Sequence, residues 1–142
     1  MRVDFYILRD SGQRREMMAC RLCEKAYAQG QNVFILADSP QQARELDTLL
    51  WTFRDGGFLP HRLLDQAAAD TVPAAILIGW EDPGEIPGYP VLLNLATEAP
   101  AFYRRFERIA EIVSQAPDIK AAGRNRFAFY REQGCNPQHH EV

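Results

Sequence analysis

Long hydrophobic runs are missing from this chain, and no apolar stretch approaches the roughly 18 residues that a membrane-spanning helix needs. The first residues pass straight into a strand-like segment without the pattern of a secretory signal, so a cytoplasmic protein with no membrane partner is expected. Cysteine is scarce: Cys20, Cys23 and Cys135 are too few for a disulfide framework and fit a reducing compartment. Cys20 and Cys23 have the C-x-x-C spacing of a redox or zinc motif. They fall in the middle of a helical segment, however, away from the helix N-terminus where the dipole lowers a thiol pKa. No second C-x-x-C or H-x-x-H completes a zinc tetrahedron, so packing is the expectation and no metal is anticipated. Neither sign of charge dominates: 16 basic and 19 acidic residues leave a net charge of −3. The chain as a whole therefore does not attract nucleic acid or an anionic membrane, although a local basic face remains open.

What is present is an alternation of strand-like and helix-like segments. Val3 to Leu8 reads as a first strand, rich in aromatic and β-branched residues. Residues 13–29 read as a helix, with Ala19, Leu22, Cys23, Ala26 and Tyr27 at helical spacing and Gly30 as its stop. Asn32 to Leu36 is a continuous apolar run of the kind found in strands covered on both faces. Ser39-Pro40-Gln41-Gln42 supplies an N-cap, a first-turn proline and a capping-box partner; the following helix sends Ala43, Leu46 and Leu50 inward and ends near Trp51. Ala74 to Gly79 is the clearest central-strand candidate, and Val91 to Leu95 is a further buried strand. Pro100 opens a short helix with Phe102, Tyr103 and Phe106. Ile109 to Val113 fits either a strand or a helix continuation. Pro117 starts a last helix running to about Gln133, stopped by Gly134. This order argues for an α/β domain over residues 1–135, with a mostly parallel sheet and helices on both faces. Residues 136–142 are expected to form a flexible C-terminal tail.

A fold of this kind invites a nucleotide-binding reading, which the motifs do not support. The first strand is followed by Arg9-Asp-Ser-Gly-Gln-Arg-Arg15, without a Gly-rich cradle for phosphates. Asp38, after the second strand, is placed where a ribose could meet it, and His61 follows a loop proline. A small nucleotide-binding domain or enzyme using Asp38 or His61 is therefore the alternative reading. No G-x-S-x-G, H-E-x-x-H or clustered carboxylate set accompanies either residue, and no cofactor is expected.

Two segments carry more information. Trp51 to His61 sets large aromatics and a Pro-His pair around Gly56-Gly57, directly after a capped helix. Loops lie on the surface, so such a segment either tucks back onto the core or docks a partner. In the last helix, about 100° per residue places Ile119, Ala122, Phe129 and Tyr130 on one inward arc. Lys120, Arg124 and Arg131 fall within roughly 40° of one another on the side, with Phe127 at their border. A basic stripe beside an apolar edge suits an acidic peptide ending in a hydrophobic residue, and equally suits a solvated helix face. Arg126 falls within the inward arc, so either it snorkels out or the helix is rotated from this phase.

Taken together, Ala43-x-x-Leu46-Asp47-x-x-Leu50-Trp51, Phe58-Leu59-Pro60-His61 and Arg126-Phe127-x-x-Tyr130-Arg131-x-x-Gly134 resemble the chi subunit family of bacterial DNA polymerase III. The likeness runs over most of the chain. It implies a three-layer Rossmann-like α/β domain that is a non-enzymatic accessory subunit of the clamp-loader complex. The partners it implies are the psi subunit or another clamp-loader component, and the acidic C-terminal tail of single-stranded DNA-binding protein; nucleic acid is reached only indirectly. Carried over by position, Trp51, Phe58, Leu59 and Pro60 form the psi-binding set, and Lys120, Arg124 and Phe127 belong to the tail-binding set. Where the family places a further cation this chain has Ala128, and Arg131 lies close enough on the wheel to replace it.

Overall fold

The computed structural model describes residues 1–52, 59–64 and 74–142. Among them, seven strands form one sheet in which every pairing is parallel: β1 (Arg2–Ile7), β2 (Val33–Leu36), β3 (His61–Leu63), β4 (Ile76–Gly79), β5 (Val91–Asn94), β6 (Arg108–Val113) and β7 (Gln138–Glu141). Their order is β3-β4-β2-β5-β6-β1-β7. The helices are α1 (Arg15–Ala28), α2 (Pro40–Thr52) and α3 (Pro117–Glu132). Side-chain alternation divides the core between two faces. Under α1 and α2 lie Val33, Ile35, Ile78, Leu93 and Ile112, whereas Phe5, Phe34, Leu92, Ile109 and Tyr130 fill the face that carries α3. This is the three-layer α/β arrangement expected from the sequence.

The strands β2, β4 and β5 are buried at every residue, as continuous apolar runs in a parallel sheet should be. Ile76–Gly79 is not at the centre, however, but one place in from the edge strand β3, whose three residues carry no periodicity of their own. The ambiguous Ile109–Val113 segment is strand β6, paired on one side with β5 and on the other with β1. The helix expected from Pro100 reduces to a single 3-10 turn, Tyr103–Arg105. At α2, Ser39 Oγ accepts from the Gln42 N–H (3.1 Å), while Gln42 Oε1 accepts from the N–H of Asp38, one residue earlier than the box pattern would place it (2.8 Å). Gly134 follows α3 at φ +87°, a left-handed conformation that costs a residue with a Cβ roughly 1–2 kcal/mol.

The C-terminal residues differ from the expected flexible tail. Gln138–Glu141 pairs with β1 as strand β7, and Val142 closes the ladder by donating to Ile7 O (2.9 Å) and accepting from the Arg9 N–H (3.1 Å). The polar sequence Gln-His-His-Glu hides this strand from a hydrophobicity reading. Its anchoring is electrostatic and aromatic: His140 Nε2 lies 2.9 Å from Asp4 Oδ1, and the His140 ring stacks on Tyr6.

The phase of α3 also differs. Gly123, Arg126 and Tyr130 are its buried positions, whereas Ile119, Ala122 and Phe129 are only half-buried. A Cβ at Gly123 would come within 2.8 Å of Val113, so this glycine lets the helix approach β6 closely. Arg126 does not snorkel. It is 3% exposed, and its Nε donates to Glu111 Oε1 at 2.7 Å, while Nη1 donates to Thr97 O at 2.9 Å. Glu111 Oε2 accepts from Asn94 Nδ2 (2.9 Å) and from the Tyr130 hydroxyl (3.0 Å). Burial pushes the Glu111 carboxyl above the usual carboxylate range, against the opposing pull of Arg126 and its hydrogen-bond donors. Burial and the adjacent Glu111 charge raise Tyr130.

Removing one partner of such a pair leaves an uncompensated buried charge, so Arg126→Met should destabilise the fold by about 3–5 kcal/mol in a denaturant melt. Glu111 already titrates above its unfolded value, and loss of Arg126 raises it further. The penalty should therefore be smallest through the ordinary carboxylate range, where both folded forms hold Glu111 neutral, and grow above it, as pH rises through the raised value of Glu111 in the parent. Combining it with Glu111→Leu should recover more than half of the loss, and a penalty independent of both pH and Glu111 would refute the coupling.

Candidate functional site

The phase set by Arg126 and Tyr130 turns the remaining side of α3 outward. Arg124 and Arg131 are exposed and make no ion pair with any described residue. Lys120 is half-buried, with Nζ donating to Gln115 Oε1 at 3.0 Å. Phe127 is half-buried, its ring 5.1 Å from Phe5 of β1. From Lys120 to Arg131 the helix rises about 16 Å, at 1.5 Å per residue. The sequence-derived stripe is thus one continuous surface: three cations along a ridge, flanked by an aromatic edge rooted in the core. Ala128 is exposed beside it, and Arg131 supplies a charge one turn beyond Phe127.

The chemistry of such a surface suits an anion met by side chains alone. Guanidinium groups hold carboxylates by paired, charge-assisted hydrogen bonds, and the aromatic edge offers a dry contact to an apolar residue. Gly123 and the Glu111–Arg126 pair, both beneath the helix, hold it at one height and one rotation.

At the opposite edge of the sheet, Trp51 stands in the last turn of α2 and is 57% exposed. Its ring meets His61 edge-on at 4.9 Å between centroids. The His61 side chain is buried; its Nδ1 lies 2.6 Å from Leu59 O, and its Nε2 lies 3.1 Å from Asp47 O and 3.3 Å from Asp47 Oδ1. His61 therefore clasps the end of α2 to the start of β3, with both ring nitrogens against main-chain oxygens. Pro60 is half-buried and its carbonyl accepts from the Ile76 N–H (3.0 Å), which sets the β3–β4 register. Leu59, grouped by sequence with the docking residues, is 6% exposed and packs in the core under α2, so its side chain belongs to packing. Phe58 lies outside the described residues.

Asp38 is exposed, and its Oδ1 accepts from the Ser39 hydroxyl at 2.8 Å at the start of α2. Cys20 and Cys23 are both buried under α1. Burial, the larger cause, pushes the Cys20 thiol up to about 12 and raises Cys23 as well. Such thiols pack as small apolar groups. Among the described residues no group of three or more His, Cys, Asp or Glu side chains is arranged to hold a metal ion, and no helix is long and apolar enough to cross a membrane.

Sequence reading missed the buried Asn94–Glu111–Arg126–Tyr130 cluster. Its signal was available: one acidic residue inside an otherwise apolar strand, and one arginine on the inward arc of the following helix. Two such misfits of opposite charge on neighbouring elements are each other's partners.

Residues 1–138 match the family model described as DNA polymerase III chi subunit, HolC. The chain is 42% identical to DNA polymerase III subunit chi of Pseudomonas aeruginosa, over 99% of this chain and 96% of the relative. It is 32% identical to the protein of the same name from Haemophilus influenzae (93% and 91% covered), and 26% identical to that from Escherichia coli (85% and 81%). An almost full-length match, with the Trp51 turn and the α3 motif inside it, establishes that this chain belongs to the DNA polymerase III chi subunit family.

Proposed function

We propose that the chain is a non-catalytic adaptor of the DNA polymerase III clamp-loader complex. In this reading the outward stripe of α3 holds the acidic C-terminal tail of single-stranded DNA-binding protein, and the surface that carries Trp51 and Pro60 docks the psi subunit. The observation that carries it is the grouping of cations with a core-rooted aromatic on one side of α3: exposed Arg124 and Arg131, without an ion pair among the described residues, and half-buried Lys120, beside Phe127. An acidic tail ending in an apolar residue complements both parts at once. Family membership supports the assignment, because the relatives carry the name of a polymerase subunit over the same length.

Such a contact is small, and its charges sit in water, where the Debye length is about 8 Å at physiological ionic strength. Affinity should be about micromolar for a free peptide and higher for a partner that presents several tails. Arg124→Ala should weaken a fluorescent acidic tail peptide by about 1–3 kcal/mol, the range for a charge-assisted hydrogen bond, and added salt should narrow that difference. Equal affinity in parent and variant would remove α3 as the tail site.

The Trp51 surface has a separate test. Trp51→Ala removes a largely exposed ring, so its unfolding free energy should stay within about 0.5–1 kcal/mol of the parent. Recovery of psi or of another clamp-loader component in a co-purification should fall sharply. A lowered melting temperature with undiminished recovery would assign the tryptophan to packing against His61 alone.

A further inference from the structure

A second cationic surface lies on the opposite side of the sheet from α3. There α1 packs on β6, and α2 packs on β3 and β4; among the described residues, no helix takes β1 or β7 as its main support on that face. On this face β1 and β7 carry Asp4, Tyr6 and His140, and β6 adds Arg108 beside them. Asp4 is fully buried, and three basic groups converge on it: Arg2 Nε at 2.8 Å, His140 Nε2 at 2.9 Å and Arg108 Nε at 3.4 Å. Arg108 Nη2 also donates to the Tyr6 hydroxyl at 2.8 Å. One carboxylate cannot balance this set, so positive charge remains in excess. Strand alternation sends Glu111 and Glu141 to the other face and supplies no second carboxylate from β6 or β7.

The flank of α1 beside these strands adds to the excess. Arg21 borders a hollow of about 230 Å³ that also includes Leu8, at the end of β1. Lys25, one turn on, lines a small cleft together with Arg108. Both Arg21 and Lys25 are exposed. Arg21 and Lys25 border separate hollows, and we take the strip between this flank of α1 and the sheet edge as one trough. Its edge also carries an aromatic surface. The Tyr6 and His140 rings are stacked, with centroids 5.3 Å apart and planes 27° apart. Because β7 is the last strand, the far face of the His140 ring is turned outward past the sheet edge.

We infer that this trough binds the phosphate backbone of single-stranded nucleic acid, with Arg2, Arg21, Lys25 and Arg108 facing the phosphates and a base stacking on His140. A row of cations beside a free π-face is the combination by which strands are held without sequence preference. An acidic peptide would use the cations but has no use for the stacked pair. The surface is independent of α3, and of the tail-binding reading.

The test is fluorescence anisotropy with a short labelled oligothymidylate and the full chain at low ionic strength. Binding is expected, with log K falling against log salt at a slope of about −3 for four neutralised phosphates. The double variant Arg21→Glu, Lys25→Glu changes only exposed helix positions and should weaken the oligonucleotide about tenfold or more. His140→Ala should weaken it about fivefold through loss of stacking. Arg124→Glu, on the other face, should leave it unchanged. Absence of binding by the parent chain would overturn the proposal, as would equal affinity in the Arg21/Lys25 variant. So would a trough whose charge reversal abolishes binding of an acidic peptide while the oligonucleotide never binds.

Discussion

The ion pair between Glu111 and Arg126 is the constraint on which the arrangement of α3 depends. A charge placed within a sheet-facing layer is tolerated only where a partner and further hydrogen bonds meet it. Glu111 has three donors, from Asn94 on the neighbouring strand and from Arg126 and Tyr130 on the helix above. These bonds tie two strands to one face of α3. A helix held by apolar contacts alone can rotate by a fraction of a turn at modest expense; one whose buried arginine must reach a particular carboxylate cannot. The outward position of Arg124 and Arg131 is the other side of that restriction.

Elements with strong apolar periodicity or clear caps were legible in the sequence: α1, α2, β1, β2, β5 and the ends of α3 lie within a residue or two of where pattern and capping place them. What escaped was held by interactions that hydrophobicity does not record. β7 is polar at all four positions and exists because its backbone completes a ladder and His140 finds Asp4 and Tyr6. β3 is too short to show a period, and Pro60 and His61 fix it through main-chain bonds. Strand order rests on long-range pairing, which has no local signature at all.

The positions of the cations along α3 were legible in the sequence, and the mounting of that helix less so. Arg124 and Arg131 are exposed on the side where the wheel placed them, and Lys120, on the same side, is half-buried and donates to Gln115. The inward arc was misjudged because the reading treated charge as a mark of exposure, which fails where two opposite charges are buried together. The Trp51 segment divides in the same way. Trp51 stays exposed, whereas Leu59, eight residues on, turns inward to the core. Runs of apolar residues in a loop therefore cannot be assigned to docking as a block; each side chain has to be placed.

Net charge was likewise a poor guide to local potential. The −3 total is spread over a surface on which two regions gather more cations than acids among the described residues: the outer side of α3, and the trough beside α1, where Arg2, Arg108 and His140 share the one carboxylate of Asp4. Screening over about 8 Å makes each region act on its own neighbourhood, so an acidic chain can offer two separate anion-binding surfaces. Because they lie on opposite faces of one rigid sheet, occupation of either leaves the other sterically open. Any coupling between them would have to pass through β1 and β6, whose side chains on one face support α3 and on the other gather the cations around Asp4.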